Sequence, residues 1–345
     1  KHIILGVSGS IAAYKAVYLL RLLTEAGALV TPVMTRGATR FVGPMTFSAL
    51  SGNRAITSLW APAEEGEIGH VELAHQADII ILAPTTADLL ARLATGRADD
   101  PITAICLSSS APKLVAPAME DGMWTNPLTQ NHVQTLQGLN YDFVSPTTGA
   151  LASGRSGRGR MAEPEQIFEA ACRRLGPTDL QGCRLLVTAG PTREHLDPAR
   201  FISNPSSGKM GIAIARAALE RGADVTLILG PTSQPTPDGA EILRIKSTND
   251  MLKACQDHIQ SSDILIMAAA PADFTPATPS EHKVKKQQSQ STLELEKTPD
   301  ILKTLAARSQ GKIAVGFAAE TQDLLRYAQD KLNRKDLDLV VANDI

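Results

Sequence analysis

The chain has 345 residues, of which 43% are hydrophobic and 20% are charged, and its 34 basic residues nearly balance its 36 acidic residues. This length favours two domains over one core, and the balanced charge gives no sign of a nucleic-acid or membrane partner. The four cysteines have no metal-ligand spacing, so they indicate neither a disulfide framework nor a zinc site, and we expect a reducing, cytoplasmic location.

Short apolar runs alternate with amphipathic stretches along the first half of the chain. We read buried strands in HIILGV, ALVTPVMT, ADIIILAP and KLVAPAM, and the stretch IAAYKAVYLLRLLTEAG between the first two has helical periodicity. Apolar strands separated by helices are typical of a parallel sheet that is covered on both faces. We therefore predict an α/β fold with a doubly wound, Rossmann-like domain.

The same pattern restarts after a break near Gly176. Strands of a second doubly wound domain are predicted at RLLVTAGPTRE, VTLIL, DILIMAAAPADF, GKIAVGF and DLDLVVAN. We place the two domains at residues 1–178 and 179–345. Two further stretches, residues 145–161 and 272–291, are rich in glycine, serine, proline or basic residues, and we predict that both are long loops.

A turn rich in glycine and serine follows the first predicted strand. In GVSGSIAAYK, Gly9 and Ser10 precede a helix, where amides and hydroxyls can hold a phosphate, although a simple tight turn would look the same. The turn lacks the third glycine of GxGxxG, and the second strand ends in Thr35 rather than in an acid, so NAD is disfavoured. The loop in LAPTTADLL ends another strand at the same sheet edge, and the two loops together predict a ligand pocket.

His70 lies in EIGHVELAHQ, at the predicted start of a helix. Its spacing from His75 does not place the two rings on one helix face, so a shared metal site is not indicated. His70 is a candidate for an acid/base or carboxylate-holding role. A structural histidine would fit the spacing equally well.

Polar and basic residues in the second half suit a nucleoside triphosphate. In ISNPSSGKMG, hydroxyls, glycine amides and Lys209 precede a helix, which suits phosphates without matching the Walker A spacing. The run HKVKK alone would be read as a solvated loop. It follows Asp273, which we place at the end of a buried strand. A carboxylate that can hold Mg²⁺, together with mobile lysines, suits nucleotidyl transfer, because charge develops on the departing pyrophosphate.

The motifs of both halves resemble known families. Flavin-containing cysteine decarboxylases, which have a flavodoxin-like fold, are similar to this chain at GVSGSIAAYK, GHVELA, LAPTTADLLARLATG, PAMEDGMW and SGRSGRGRM. Phosphopantothenate-cysteine ligases are similar to it at VTAGPTREHLDPARFISNPSSGKMG, AAAPADF, HKVKK, KTPDILK, VGFAAET and KDLDLVVAND. In this order the motifs resemble the bacterial bifunctional enzymes of coenzyme A biosynthesis. Those relatives continue beyond a stretch like VVANDI, so we expect the last part of the ligase sheet to be missing.

The resemblance implies two reactions on small molecules. The second domain would activate 4′-phosphopantothenate with CTP and Mg²⁺ to an acyl-nucleotide, releasing pyrophosphate, and cysteine would then attack. The first domain would decarboxylate the resulting 4′-phosphopantothenoylcysteine to 4′-phosphopantetheine with FMN as a transient electron acceptor. The resemblance also implies a homo-oligomer, with trimers of the decarboxylase domain and dimers of the ligase domain. The residues do not distinguish CTP from ATP.

The resemblance also assigns site residues. The catalytic candidates are His70, Glu120, Ser153, Asn204 and Lys283. The FMN-binding candidates are Gly9, Ser10, Ile11, Thr35, Pro84, Thr85 and Thr86. The candidates for CTP are Met267, Ala268, Ala269, Asp273, Lys283, Pro299, Asp300, Ile301, Leu302, Phe317, Lys331 and Lys335, and the candidate metal ligand is Asp273.

Three positions in the decarboxylase half depart from the family pattern. Glu120 and Asp99 stand where the pattern has asparagine, and Ser153 stands where it has a cysteine that donates a proton. A glutamate would repel the substrate carboxylate unless it is protonated or turned away. We interpret Glu120, between Met119 and Met123, as a protonated acid in an apolar setting that binds the substrate carboxylate or supplies the proton that serine cannot.

Two alternatives to the bifunctional enzyme stay open at this point. In the first, an active ligase is fused to a catalytically impaired flavin-binding domain that has a structural or regulatory role. In the second, the chain is a two-domain NAD(P) oxidoreductase, which the absence of a ribose-binding acid after both second strands opposes.

Overall fold

The computed structural model describes residues 1–60, 69–284, 292–305, 311–320 and 322–344. The chain forms two compact units, Lys1–Leu175 and Gly176–Ile345. No helix in the described part of the chain is both long enough and apolar enough to cross a lipid bilayer.

Unit 1 is built on a parallel sheet with the strand order β2-β1-β3-β4-β5. Its strands are β1 (His2–Val7), β2 (Leu29–Met34), β3 (Ile79–Thr85), β4 (Lys113–Pro117) and β5 (Tyr141–Phe143). This is the order of flavodoxin-like folds, in which ligands bind where the chain reverses direction across the sheet, between β1 and β3. The predicted doubly wound domain is confirmed.

The helices of unit 1 cover both faces of this sheet. They are α1 (Ala13–Glu25), α2 (Pro44–Ser51), α3 (Gly69–Gln76), α4 (Ala87–Ala94), α5 (Pro101–Ser108), α6 (Asp121–Trp124), α7 (Pro127–Gly138) and α8 (Pro164–Leu175). Successive residues of one strand enter different cores: Leu5 packs in the cluster under α1, and Ile4 in the cluster under α4 and α5. Two covered faces explain why β1 and β3 are continuous apolar runs rather than alternating ones.

A β-hairpin occupies most of the stretch predicted as a loop at residues 145–161. It consists of β6 (Thr147–Ala150) and β7 (Ser156–Arg160), which pair in antiparallel orientation. The loop prediction is therefore wrong. The Gly159 carbonyl accepts a hydrogen bond from Met119 N at 3.0 Å, and a Cβ on Gly159 would lie only 2.2 Å from the Met119 oxygen. The hairpin is held by such backbone contacts, so its sequence shows little apolar alternation.

The end of the hairpin is attached to helix α1. The Lys15 ammonium, only 4% exposed, donates hydrogen bonds to the Met161 carbonyl at 3.0 Å and to Glu163 Oε1 at 2.9 Å. Arg160 Nη2 donates to the same Glu163 oxygen at 2.9 Å. A buried ammonium is tolerated because these partners compensate for its lost hydration.

Unit 2 is built on a second parallel sheet, in the order β12-β11-β8-β13-β16-β17. The strands of this sheet are β8 (Arg184–Ala189), β11 (Asp224–Leu229), β12 (Glu241–Arg244), β13 (Ile264–Met267), β16 (Ile313–Glu320) and β17 (Leu339–Asp344). The chain proceeds outwards from β8 to one edge and then from β13 to the other, which confirms the second doubly wound fold. Its crevice is expected between β8 and β13.

Helices and two small hairpins complete unit 2. The helices are α9 (Lys209–Glu220), α10 (Thr248–His258), α11 (Ile301–Leu305) and α12 (Leu324–Lys335). The hairpins pair β9 (Glu194–Asp197) with β10 (Arg200–Ile202), and β14 (Phe274–Pro276) with β15 (Leu295–Lys297).

One prediction for this part of unit 2 was wrong, and another holds only in part. Asp273 does not end a buried strand, because β13 ends at Met267 and Asp273 lies exposed just before β14. The predicted loop at residues 272–291 contains β14, while Lys285 and Lys286 of the basic run lie outside the described residues.

Candidate active sites

A cavity of about 770 Å³ lies over the carboxyl ends of β1, β2, β3 and β4 in unit 1. Four of the predicted FMN-binding residues line it, namely Gly9, Ser10, Thr35 and Thr86. The position is the one that the strand order predicts, since the chain reverses between β1 and β3. The volume is within the usual range for small-molecule and cofactor sites.

Ser8 joins the two loops that form the floor of this cavity. Its side chain is 1% exposed, and its hydroxyl donates to the Pro84 carbonyl at 2.8 Å and accepts from Thr86 N at 3.0 Å. Gly9 lies against Gly37, where a Cβ on Gly9 would come within 2.9 Å of the Gly37 carbonyl carbon. Two backbone segments can approach this closely only at glycine. The small residues and hydroxyls therefore fit a flavin mononucleotide.

The other predicted FMN-binding residues, Ile11, Pro84 and Thr85, do not line this cavity. Thr85 is fully buried and its hydroxyl donates to the Leu82 carbonyl at 2.7 Å, and Pro84 accepts from Ser8, so these two support the floor without lining the cavity. Ile11 is 58% exposed and lines a second, neighbouring cavity of about 420 Å³.

An arginine that sequence reasoning missed lies among carboxylates at the rim of the larger cavity. Arg92 contacts Asp100 at 2.9 Å, Asp88 at 3.1 Å and Asp99 at 3.8 Å. Burial opposes its charge, but these three carboxylates together raise the pKa of Arg92. Asp99, one of the departures from the family pattern, is thus neutralised by Arg92 and also by Arg97.

The structure brings Glu120 and Ser153 together. Ser153 lies at the tip of the hairpin, and its Oγ donates to Glu120 Oε1 at 3.1 Å. The neighbouring acid, Asp121, instead accepts from Arg158 N at 2.8 Å, so the two adjacent carboxylates have separate partners. The apolar enclosure expected around Glu120 is not found, because Glu120 is only half-buried and Met123 is 49% exposed.

His70 is the second residue of α3 and is half-buried. The helix start predicted there is confirmed. His70 is not one of the residues that line either cavity described in unit 1, and the segment immediately before Gly69 lies outside the described residues. Its role in the site stays a prediction.

Several predicted CTP residues contact one another in unit 2, between α12, β16 and the start of α11. Lys335 pairs with Asp300, and Lys331 Nζ donates to the Phe317 carbonyl at 2.6 Å. Burial lowers the pKa of Lys335, whose side chain is 11% exposed. Ile301 and Met267 are 4% and 7% exposed and belong to the core, so their side chains offer little surface to a ligand.

Asn204 lies at the crevice between β8 and β13. Its Nδ2 donates to the carbonyls of Pro271 at 2.9 Å and of Ala270 at 3.3 Å. Ala269 N donates to Thr188 Oγ1 at 3.2 Å, which fixes the same segment to β8. Asn204 and the segment that contains Ala268 and Ala269 therefore form one side of the crevice between β8 and β13.

Two of the residues predicted to bind CTP, Lys283 and Asp273, are exposed to solvent. Lys283 is exposed, and the segment that carries it is held where Val284 N donates to Asp197 Oδ2 at 3.2 Å and Arg200 donates to the Val284 carbonyl at 3.0 Å. Asp273 is also exposed, and its carbonyl accepts from Thr298 N at 3.0 Å, just before Pro299. Within the described ranges, no group of three His, Cys, Asp or Glu side chains is placed to hold a metal ion.

A third cavity, of about 860 Å³, lies at the carboxyl ends of β8, β11 and β12. None of the predicted CTP residues lines it. Its wall combines apolar residues with basic and hydroxyl-bearing ones, which are Arg193, His195, Ser206, Ser207, Thr232, Ser233, Arg244 and Lys246. Sequence reasoning anticipated the two serines of ISNPSSGKMG but not the basic residues, which are far apart in the chain.

Comparison with known proteins gives a consistent result for both units. Residues 1–176 match the Flavoprotein family, and residues 180–345 match the DNA/pantothenate metabolism flavoprotein C-terminal domain. The coenzyme A biosynthesis bifunctional protein CoaBC of Vibrio cholerae is 47% identical over 348 residues, which cover 100% of this chain and 87% of the relative. The chain belongs to the CoaBC family. The CoaBC proteins of Bacillus subtilis and Escherichia coli K12 are 46% and 45% identical, with 100% of this chain and 86% of each relative covered.

Membership in the CoaBC family makes this chain a bifunctional enzyme of coenzyme A biosynthesis with a decarboxylase and a ligase activity, as its motifs predicted. Solved structures with similarity to single units include the C-terminal domain of CoaBC, at 45% identity, covering 48% of this chain and 80% of that chain, with a TM-score of 0.44. A PPC decarboxylase mutant complexed with pantothenoylaminoethenethiol is 31% identical and covers 49% of this chain and 95% of that chain, with a TM-score of 0.45.

Proposed function

We propose that unit 2 joins cysteine to 4′-phosphopantothenate with CTP, and that unit 1 decarboxylates the product to 4′-phosphopantetheine with FMN. One observation carries the assignment of unit 1. The cavity that fits FMN and the smaller cavity that contains Glu120 share Ser10, Ala118 and Met119 as a common wall. A substrate in the smaller cavity would therefore lie beside the cofactor and within reach of the Ser153–Glu120 pair.

In unit 1, Gly9, Ser10, Thr35 and Thr86 would hold the cofactor. When bound, FMN supplies a reversible two-electron acceptor to the reaction. A residue of the chain would supply the proton that the reaction needs. When CO₂ departs, the carbon that carried it must gain a proton, and a carboxylic acid is a far stronger donor than a serine hydroxyl. We assign that donation to Glu120, which Ser153 orients through its hydrogen bond at 3.1 Å.

In unit 2, the nucleotide would lie over β13, β16 and β17, and its reacting phosphate would lie near Asn204. Lysine ammonium groups near the site, including Lys283, would stabilise the negative charge that develops on pyrophosphate as the acyl-nucleotide forms. Mg²⁺ would be held by Asp273 and by substrate phosphates. One carboxylate is enough, because Mg²⁺ usually takes most of its ligands from water and from the phosphates of the substrate.

The decisive experiment separates the two reactions. The purified chain is reconstituted with FMN and given CTP, Mg²⁺, 4′-phosphopantothenate and cysteine, and pyrophosphate release and CO₂ release are measured. Supplying 4′-phosphopantothenoylcysteine alone tests unit 1 without unit 2. Pyrophosphate release without any CO₂ would support the alternative of an active ligase joined to an impaired flavin-binding unit, which the bifunctional relatives do not favour. A protein that cannot bind FMN would contradict the assignment of unit 1.

The cytoplasmic location and the homo-oligomeric assembly are part of the same proposal. All four cysteines are free thiols, which supports a reducing compartment. The predicted trimers of the decarboxylase and dimers of the ligase are tested by measuring the particle mass in solution by light scattering.

A further inference from the structure

We propose that Glu194 is a positioning residue for the ligase reaction. A series of buried hydrogen bonds runs from the Ala272 amide through the hydroxyls of Thr192 and Thr248 to the Glu194 carboxylate. We call this series the Glu194 network, and we assign to it the task of fixing Asn204 in the crevice between β8 and β13. This inference rests on the ligase function proposed for unit 2.

The side chains of the Glu194 network are buried and come from separate parts of unit 2. Thr192, Thr248 and Glu194 are 0%, 1% and 4% exposed. Thr192 lies between β8 and β9, Glu194 is the first residue of β9, and Thr248 is the first residue of α10. Buried polar groups are costly unless they are paired, and these three satisfy one another. The network therefore ties the loop after β8 to the start of α10.

The hydrogen bonds of the Glu194 network all point in one direction. At one end an amide can only donate, and Ala272 N donates to Thr192 Oγ1 at 2.9 Å. At the other end a carboxylate accepts, and Glu194 Oε1 accepts from Thr248 Oγ1 at 2.8 Å. The Thr192 hydroxyl therefore donates to Thr248 Oγ1, which is 3.0 Å away. Hydrogen bonds in series polarise one another, so the carboxylate strengthens the whole network.

The first turn of α10 holds the Glu194 carboxylate in place. Thr248 N donates to Glu194 Oε1 at 2.8 Å, directly after Ser247, which caps the helix. The dipole of the helix favours a negative charge at this end. Glutamine at position 194 would keep the size of the side chain but would lose the charge that the network and the helix share.

Thr192 connects the Glu194 network to both sides of the contact that Asn204 makes. The Asn204 amide donates to the carbonyls of the two residues that precede Ala272. Those acceptors are fixed because Ala272 N donates to the Thr192 hydroxyl. The donor is fixed because the preceding residue, Ser203, donates from Oγ to the Thr192 carbonyl at 2.7 Å. One buried threonine thus sets the position of Asn204 relative to its acceptors.

The position of Asn204 determines how well the acyl-nucleotide is retained until cysteine attacks. A displacement of about 1 Å in a reacting site can cost about 100-fold in rate. If Asn204 moves, the amine of cysteine attacks the acyl carbon more slowly, and water competes with it. Attack by water returns 4′-phosphopantothenate and CMP after pyrophosphate has already left. A disrupted Glu194 network should therefore release more pyrophosphate than it forms amide.

The ratio of pyrophosphate released to amide formed is the measurement that tests this role. Unlike a rate, this ratio does not depend on the fraction of the enzyme that is folded. We would measure it with CTP, Mg²⁺, 4′-phosphopantothenate and cysteine in the parent, in Glu194→Gln and in Thr192→Val. The parent should give equal amounts. Each variant should give an excess of pyrophosphate of about 2-fold or more, which shrinks as cysteine is raised, and amide formation should slow about 10-fold to 100-fold.

Three further variants sharpen the test. Thr192→Ser retains the hydroxyl and should restore most of the parent ratio. The double variant Glu194→Gln/Thr192→Val should be no worse than Thr192→Val alone, because both residues act through one network. Ser262→Ala is the matched control and should behave as the parent does. It removes a hydroxyl of a residue that is 4% exposed and lies just before β13, at the opposite end of the sheet from the crevice.

Hydrogen exchange at Ala272 supplies a second measurement that needs no turnover. Its amide hydrogen, which is bonded to Thr192, should exchange faster with solvent in Glu194→Gln than in the parent or in Ser262→Ala. A parent without ligase activity would show no pyrophosphate release at all. The exchange at Ala272 would still test the network in that case, so the two failures are distinguishable.

Several results would overturn the proposal. Equal amounts of pyrophosphate and amide in both Glu194→Gln and Thr192→Val would remove the positioning role. The same excess of pyrophosphate in Ser262→Ala would assign the effect to a general loss of stability. A double variant whose effect is the sum of the two single effects would show that Glu194 does not act through Thr192. Unchanged exchange at Ala272 in Glu194→Gln would show that the carboxylate does not hold this segment.

Discussion

Ser153 donates a hydrogen bond to Glu120 across 3.1 Å, although 33 positions separate the two residues in the chain. Both residues depart from the family pattern, one replacing a thiol and the other an amide. Because the two residues are in direct contact, we propose that the two departures from the family pattern form one altered proton-handling unit rather than two independent losses.

Replacing Glu120 by Gln tests this unit. Glutamine can still accept the hydrogen bond from Ser153, but it has no acidic proton to give. We expect CO₂ release from 4′-phosphopantothenoylcysteine to fall on the order of 100-fold or more, as loss of a general acid does, while pyrophosphate release by unit 2 stays unchanged. An undiminished rate of CO₂ release would exclude proton donation by Glu120 and leave it only a hydrogen-bonding role.

Replacing Ser153 by Cys restores the thiol of the family pattern. A thiol is a much stronger acid than a hydroxyl, so decarboxylation should become several-fold faster if the hairpin tip can deliver a proton. The measurement is CO₂ release under saturating substrate, with Ser156→Cys on β7 as a control for adding a thiol to the same hairpin. Equal rates in the parent and in Ser153→Cys would mean that the tip only orients Glu120.

His70→Asn tests where the first active site lies. Asparagine is polar and of similar size but cannot exchange a proton near neutral pH, so decarboxylation should drop on the order of 100-fold or more if His70 acts as an acid or base. His75→Asn, on the same helix, is the matched control. Full CO₂ release by His70→Asn would show that our placement of the site is wrong.

Asn204→Asp tests the crevice of unit 2. The substitution removes the amide that donates to Ala270 and Pro271 and places a carboxylate where a phosphate or a carboxylate must react. We expect ligation to slow on the order of 100-fold, since loss of one positioned donor has that effect. A burst of pyrophosphate without amide product would indicate that the acyl-nucleotide accumulates. Ligation at the parent rate would contradict the role of Asn204.

The ionised Asp197 carboxylate should make the stability of unit 2 sensitive to acid. The Arg200 guanidinium, and after it the amides of Ala199, Val284 and Arg200, hold the pKa of Asp197 far below its usual value, although burial opposes this. Because the folded-state pKa is depressed, the stabilisation is complete above the unfolded-state pKa of about 3.9, declines progressively below it, and is fully lost only as the pH falls through the folded-state pKa.

The measurement for Asp197 is urea-induced unfolding from pH 7 down to pH 3. Asp197→Asn should be less stable than the parent at pH 7, and the difference should begin to shrink below pH 4, because the unfolded parent binds a proton there while Asp197 in the folded parent stays ionised. Asp257→Asn on α10 serves as the control for removing one exposed acid. A difference that does not change with pH would contradict this account.

The sheets could be predicted from the sequence because two covered faces require continuous apolar runs, and β1, β3 and β8 have them. The β6–β7 hairpin could not, since Gly159 pairs with the backbone of Met119 and Gly157 lies against the side chain of Asp121. In sequence, its glycines and arginines are indistinguishable from a solvated loop.

The third cavity, of about 860 Å³ in unit 2, was missed for a related reason. Arg193, Arg244 and Lys246 are isolated basic residues in the sequence, and only the order of β8, β11 and β12 brings them to one place. The residues predicted to bind CTP were found through the family resemblance rather than through periodicity or spacing. The contact between Lys335 and Asp300 shows that some of them do meet in space.

The burial of Lys15 gives the hairpin one anchored end and one movable end. Opening its base would leave an ammonium inside the protein without partners, which is costly, whereas Ala152, Ser153 and Gly154 at the tip are exposed. We therefore expect the amide hydrogens beside Met161 at the base of the hairpin to exchange with solvent more slowly than those at the tip that carries Ser153.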